Sequence, residues 1–318
     1  MNARPGTHRT RIVRAAALLV GLCAAAACSS APNPPAAAPA TAAASPATAD
    51  PAATVGVVPQ GPPHVTVSRI RTADGSVVTV AVFSGRVQYV LHNGSQDPGP
   101  AYAALVRAGP AVTGAERRRL LAAFNGGFLL RSRAGGYEQE GHVFRALRYG
   151  LASLVIDRSG QARIGVWGVD VPAPGETVYS VRQDLRPLVL NGRPTAASAD
   201  WALWGATLGG GAYVARSAIG QDAGGDLMYA ASMSAVPADL ATALARHGAR
   251  IAMELDINPE WVQLDAAGRP GGALTAEIPG QYRPSDQYLA GWTRDFFTVL
   301  ASPGSPAGTQ PPSARLRP

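Results

Sequence analysis

The chain has 318 residues, 47% of them hydrophobic, and a formal net charge of +7. All 28 basic residues are Arg, which removes P-loop and Schiff-base lysines from consideration. Cys23 and Cys28 are the only cysteines, so a domain lying beyond them has no disulfide, no thiolate metal site and no cysteine nucleophile.

Arg4, Arg9, Arg11 and Arg14 precede an apolar stretch from Ala15 to about Ala27. That stretch is too short to span a bilayer as a mature helix and ends in small residues, which predicts a secretory signal over residues 1–28. The run Ala25-Ala26-Ala27-Cys28-Ser29-Ser30 resembles the lipobox of bacterial lipoproteins, where the Cys becomes the first mature residue and carries lipid. Ala25 stands where Leu is commoner, and the other reading is an ordinary cleaved signal with an incidental Cys. Cys23 is the poorer anchor because Leu22 precedes it. The expected location is outside the cell, either held to the membrane through a lipid on Cys28 or secreted. No Arg-Arg pair precedes the apolar run, which disfavours a twin-arginine signal. Four of the 28 Arg and no acid precede Cys28, leaving 24 Arg against 21 acidic residues, a net of +3. That balance is no nucleic-acid footprint.

Residues 29–63 are almost wholly Ala, Pro, Ser and Thr and offer no periodic apolar face, so they read as a disordered tether. Residues 303–318 read as a disordered tail, and 64–302 as one domain. Val65 to Ile70 alternates as a half-buried strand does, Ala73-Asp74-Gly75 is a turn, and Val77–Phe83 and Val87–Leu91 are further strands. Ala101–Ala108 is expected to be a short helix stopped by Gly109-Pro110, and Thr113-Gly114-Ala115-Glu116 fits a capping box opening another. Strands are expected at 152–157, 163–169 and 186–190. A helix over Ser198–Leu208 would put Trp201, Trp204 and Leu208 on one face. Residues 212–219 and 226–233 read as strands, Pro237–His247 as the clearest helix, and Ile251–Asp256 and Phe296–Leu300 as buried strands. Strands dominate without strict βαβ alternation, which predicts an α+β domain with a large mixed β-sheet and interspersed helices.

Four stretches could carry chemistry. In Phe124-Asn125-Gly126-Gly127-Phe128 the paired glycines let backbone approach a ligand, although local sequence alone favours a simple Asn-Gly turn. Glu254 and Asp256 are two apart in a strand, so they should share a face with Cα atoms roughly 7 Å apart. Two such acids suit the acid and base of glycoside chemistry, or else lie on a solvated strand face. Asp256-Ile257-Asn258-Pro259-Glu260 sets oxygens at alternate positions, a weak signal for a divalent cation that does not meet the EF-hand pattern. Arg216 within an apolar strand needs an anion, either a phosphate or the carboxylate of Glu254 or Asp256. His142 has no local group to orient it as a base. No Ser sits in a nucleophile elbow and no His-x-x-x-His pair suggests zinc, so no metal ligand set is assigned.

Ala123-Phe124-Asn125-Gly126-Gly127-Phe128, Gln183 with Pro187-Leu188-Val189 and Asn191-Gly192, Arg216 to Gly220, Leu240 to Gly248, Met253 to Asp256 and Asp295-Phe296-Phe297 follow one another in this order. The ordered set, spanning about residues 75–300, resembles the phosphodiester glycosidase family. The resemblance implies a hydrolase that cleaves the glycosidic bond of a carbohydrate or sugar-phosphate substrate. Asp256 and Glu254 would be its acid and base, and Arg216 its phosphate clamp. Asn125, Gly126, Gly127 and Asn258 would line the sugar site, and Trp261 would stack on a ring. The family usually follows its Leu-Asp with a glycine-rich, Ser-containing loop, where this chain has Ile257-Asn258-Pro259-Glu260-Trp261. The same residues also fit a glycan-binding envelope lipoprotein that keeps the fold without the chemistry.

Overall fold

Residues 60–304 are described in a computed structural model. The signal, Cys28, residues 29–59 of the tether and residues 305–318 of the tail lie outside them. Alternating side chains form β1 (His64–Arg71) and β2 (Val77–Ser84), joined at Gly75 with φ +91°, and β3 (Val87–His92) follows. The expected helix over 101–108 is a single turn, α1 (Pro100–Ala103), because the Arg107 and Ala108 N–H groups donate to the Glu140 carboxylate instead. Helix α2 (Gly114–Arg119) starts after Thr113 without a capping box. Glu116 is drawn away by His92 Nε2 at 2.7 Å and Thr298 Oγ1 at 2.6 Å.

Strand β4 (Leu120–Asn125) is buried at every position. Next come β5 (Tyr137–Gln139), β6 (His142–Arg145), β7 (Ala152–Ile156), β8 (Ala162–Val166) and β9 (Ser180–Gln183). Asn191 and Gly192, at φ +52° and +77°, turn β10 (Val189–Leu190) into β11 (Arg193–Pro194). The helix expected over 198–208 is instead three 3₁₀ turns, Ala196–Ala199, Trp201–Leu203 and Leu208–Gly210. Asp200 caps a fresh turn by accepting the Ala202 N–H, and Gly205 and Gly209 at φ +96° and +77° break the helical path.

Strands β12 (Val214–Gln221) and β13 (Leu227–Ala235) lead into α3 (Pro237–Arg246). Pro237 fits its first turn, Asp239 accepts the Val236 N–H at 3.0 Å, and Gly248 at φ +95° follows its end. The chain closes with β14 (Ile251–Glu254), β15 (Leu264–Ala267), β16 (Leu274–Ala276), α4 (Gln287–Ala290) and β17 (Phe296–Ala301).

The α+β class expected from the sequence holds, with the strands distributed over three antiparallel sheets rather than one large mixed one. Their orders are β1-β2-β13-β12-β14-β10-β11, β16-β15-β4-β17-β3 and β6-β5-β9-β7-β8. All three contribute to one central core, where Phe83, Phe124, Tyr229, Leu154, Leu264 and Phe297 meet. The other face of the seven-stranded sheet presents Val78, Val80, Ala218 and Met228 to Leu240 and Leu244 of α3. The period of two in β12 therefore assigns its residues to two environments: Ala215 and Ile219 face the centre, and Ala218 faces α3.

Candidate functional site

A cleft of about 720 Å³ opens between the loop after β4, the loop after β9, the 3₁₀ segment near Leu203 and the loop after β14. Its one lining carboxylate is Asp256, and Asn258, Trp261, Phe128 and Arg294 stand beside it. Asp256, Asn258 and Trp261 are thus brought together as the sequence predicts. Asp256 is 4% exposed. Its Oδ1 accepts the Ile257 and Asn258 N–H groups at 2.7 and 3.0 Å, and its Oδ2 accepts Arg294 Nη2 at 3.0 Å. Burial pushes its carboxyl up to about 6, against the opposing pull of Arg294 and the two backbone donors. The alternate oxygens of 256–260 are otherwise engaged: Asn258 Oδ1 accepts the Glu260 N–H at 3.0 Å, and Glu260 pairs with Arg283. Among the described residues no cluster of three or more His, Cys, Asp or Glu could hold a metal ion.

Glu254 and Arg216 lie elsewhere. Arg216 is 0% exposed and faces the α3 side of β12. Its Nη1 donates to Glu254 Oε1 at 2.8 Å and to the Trp204 carbonyl at 3.3 Å, and its Nε donates to the Ala235 carbonyl at 3.1 Å. Neither residue lines the cleft. The expectation that Glu254 and Asp256 share a face fails for a local reason. The Leu255 N–H donates to the Ser217 carbonyl and the Ser217 N–H to the Asp256 carbonyl, each at 2.8 Å. Two residues therefore oppose one, as in a β-bulge, and the period of two is broken between Glu254 and Asp256. The Asp256 N–H also donates to Ser217 Oγ at 3.1 Å.

Asn125 is buried behind the cleft with its amide satisfied. Nδ2 donates to Ser217 Oγ at 2.9 Å and to the Gly126 carbonyl at 2.8 Å, while Oδ1 accepts the Tyr229 hydroxyl at 2.6 Å and the Gln263 N–H at 3.2 Å. It ties β4 to the Ser217 that holds Asp256. Gly126 and Gly127 are glycines because their Cα atoms abut carboxylates. A Cβ at Gly126 would lie 2.1 Å from Asp295 Oδ2, and one at Gly127 would lie 1.7 Å from Asp184 Oδ2. The close approach inferred from the paired glycines is made to the protein's own acids.

Sequence reasoning gave no role to Arg294, which lines the cleft, nor to Arg182, Asp184 and Asp295, which are buried. Arg182 Nε donates to Asp295 Oδ2 at 2.7 Å, and its Nη1 donates to Asp184 Oδ1 at 3.2 Å. Burial raises Asp184 far above the usual carboxylate range. Arg294 is 4% exposed and its Nη2 also donates to the Gly127 carbonyl at 2.8 Å, while its Nη1 has no hydrogen-bond partner. Its guanidinium carbon lies 5.0 Å from the Trp261 ring centre, a cation–π contact. The available signal was a charged pair, Arg294-Asp295, set directly before an apolar strand, where a buried Arg requires an anion.

No protein-family model and no curated protein sequence matches the chain. Among solved structures, it is similar to the catalytic domain of zebrafish N-acetylglucosamine-1-phosphodiester alpha-N-acetylglucosaminidase auto-inhibited by its pro-peptide. The identity is 14% and the TM-score 0.47, covering 75% of this chain and 82% of that one. A hypothetical protein from Synechocystis is similar at 15% identity and TM-score 0.44, covering 75% of this chain and 62% of that one. Both are distant likenesses of fold.

Proposed function

We propose that the chain is an exported hydrolase of glycosyl phosphodiesters or of a related envelope polysaccharide, with Asp256 as its general base and Arg294 as its anion clamp. The observation that carries this reading is the pairing in one cleft of a carboxyl raised to about 6 with an Arg whose Nη1 has no partner. The ordered motifs that resemble the phosphodiester glycosidase family supply the substrate class. Asp256 replaces the acid–base pair expected of Glu254 and Asp256, and Arg294 replaces Arg216 as the clamp.

The chemistry fits a single carboxylate. A phosphate leaving group departs as a stable anion, so it needs charge stabilisation more than a proton. Ionised Asp256 takes a proton from water as the water oxygen bonds to the anomeric carbon. The anomeric carbon–oxygen bond breaks with its electron pair going to the phosphate, which Arg294 receives through Nη1. The products are a free sugar and a phosphomonoester, and Asp256 returns its proton to solvent. Trp261, which lines the cleft, offers the sugar an apolar surface.

The test is turnover of sugar-1-phosphodiesters by the full chain. Asp256→Asn is expected to lower the rate by about 10²–10⁴-fold, the usual contribution of a positioned base. A variant with full activity sinks the mechanism. Saturable glycan binding by the unsubstituted chain without hydrolysis would instead support the binding-protein reading. Export is tested separately by mass spectrometry of the mature N-terminus, in both the cell-associated and the culture-medium protein. The expected N-terminus is a lipid-bearing Cys28, and an unmodified start beyond it would mean free secretion.

A further inference from the structure

Charge in the cleft is one-sided. Arg133, Arg148 and Arg186 line it together with Arg294, and Asp256, already held by Arg294, is its one acidic lining residue. Beyond Cys28 the chain holds 24 Arg and 21 acidic residues, so the four cleft Arg and their one acid account for its whole excess of +3. The three outer arginines are exposed, whereas Arg294 is buried at the base. Arg148 Nη1 donates to the Arg133 carbonyl at 2.9 Å, which draws the loop before β7 onto the end of the 3₁₀ turn Leu130–Ser132. Arg133 holds the left-handed conformation at φ +61°, uncommon for a residue other than Gly, Asn or Asp. Among the described residues no carboxylate pairs with Arg133, Arg148 or Arg186 within 4.0 Å.

An unpaired guanidinium at a concave, partly apolar surface favours a bidentate oxyanion, and several together favour an anion with more than one charged group. A cleft of about 720 Å³ also exceeds what one phosphate and one sugar fill. We propose that Arg133, Arg148 and Arg186 form a second anion subsite, and that the substrate is a phosphorylated glycan carrying at least two anionic groups along its length. The inference rests on the reading of Asp256 and Arg294 as the hydrolytic site: Arg294 takes the phosphate at the bond that breaks, and the outer arginines take the next. A glycan rather than a single-stranded nucleic acid is favoured because only two aromatic residues, Phe128 and Trp261, line the cleft. Single-stranded nucleic acids use a series of stacking rings.

The test is titration calorimetry of the full chain with inorganic phosphate and with tripolyphosphate at low ionic strength. Tripolyphosphate is expected to bind at least about tenfold more tightly, the factor one further charge-assisted hydrogen bond supplies. That ratio should shrink as salt is raised. In the variant Arg133→Asn/Arg148→Ala/Arg186→Ala the ratio is expected to fall to about one. Asn is chosen at position 133 because it tolerates the left-handed backbone. A ratio near one in the unsubstituted chain, or one that survives in the variant, overturns the subsite. Tighter binding of an oligothymidylate than of tripolyphosphate overturns the glycan assignment. The ratio is read without turnover. A chain that keeps the ratio but hydrolyses no sugar phosphodiester overturns the hydrolase reading, whereas one that hydrolyses but lacks the ratio overturns the subsite alone.

Discussion

Arg294 Nη2 lies 3.0 Å from Asp256 Oδ2, although 38 residues separate them in the chain. The carboxylate comes from just past the end of β14 and the guanidinium from the residues leading into β17. Their meeting gives the cleft a carboxylate that burial raises and a cation that partly restores it. The proposed base works ionised, so kcat/KM should rise through about pH 6 and level off above it. In Arg294→Met the lowering influence is gone, and the acid limb is expected to move to higher pH while kcat/KM falls. A pH–rate profile of the two proteins checks this, and an unshifted limb would remove Asp256 from the base role.

The same group has a consequence for stability, with a sign that can be worked out. Asp256 titrates near 3.8 when exposed and near 6 when folded, so the folded chain binds the extra proton between those values. Its contribution is therefore fully present below about pH 4 and is lost as pH rises through about 6. The size is about 3 kcal/mol for roughly two pH units of displacement. Urea unfolding from pH 4 to 8 should show this loss in the unsubstituted chain relative to Asp256→Asn. Parallel curves for the two would contradict it.

Gly127→Ala tests the floor of the cleft. The new methyl group would lie 1.7 Å from Asp184 Oδ2, and Asp184 is held in turn by Arg182. Overpacking of this kind costs about 1–3 kcal/mol, measurable as a lower urea midpoint at unchanged slope.

Arg216 and Glu254 should behave as a structural pair. Removing one buried partner leaves the other uncompensated, so Arg216→Met is expected to cost about 3–5 kcal/mol. The double variant Arg216→Met/Glu254→Leu should cost less than the single one. Glu254→Gln should retain kcat/KM within about threefold in the folded protein, because Glu254 does not line the cleft. A loss as large as that of Asp256→Asn would put Glu254 back among the reacting groups.

These outcomes divide along the line between what local sequence reveals and what it hides. Asp256, Asn258 and Trp261 were legible because an apolar strand runs straight into an oxygen-rich, aromatic loop. Helix α3 was legible because Pro237, the Leu240–Leu244 spacing and Gly248 mark its start, face and stop. Strand β4 was not, because all six of its residues are buried and no alternation shows on either face. Glu254 was placed in the site by a period of two that the pairing at Ser217 interrupts. Arg294 was missed because its partners, Asp256 and Gly127, come from distant segments, and convergence of that kind leaves no spacing to read.

That interruption at Ser217 also separates two fates for neighbouring acids. Had the ladder stayed regular, Glu254 and Asp256 would have drawn on the same guanidinium, and any change to one would have disturbed the other. With one extra residue between them, Glu254 serves the packing against α3 and Asp256 serves the open cleft. The rim of the cleft can then be rebuilt for a new substrate without touching the Arg216–Glu254 contact that links β12 to β14.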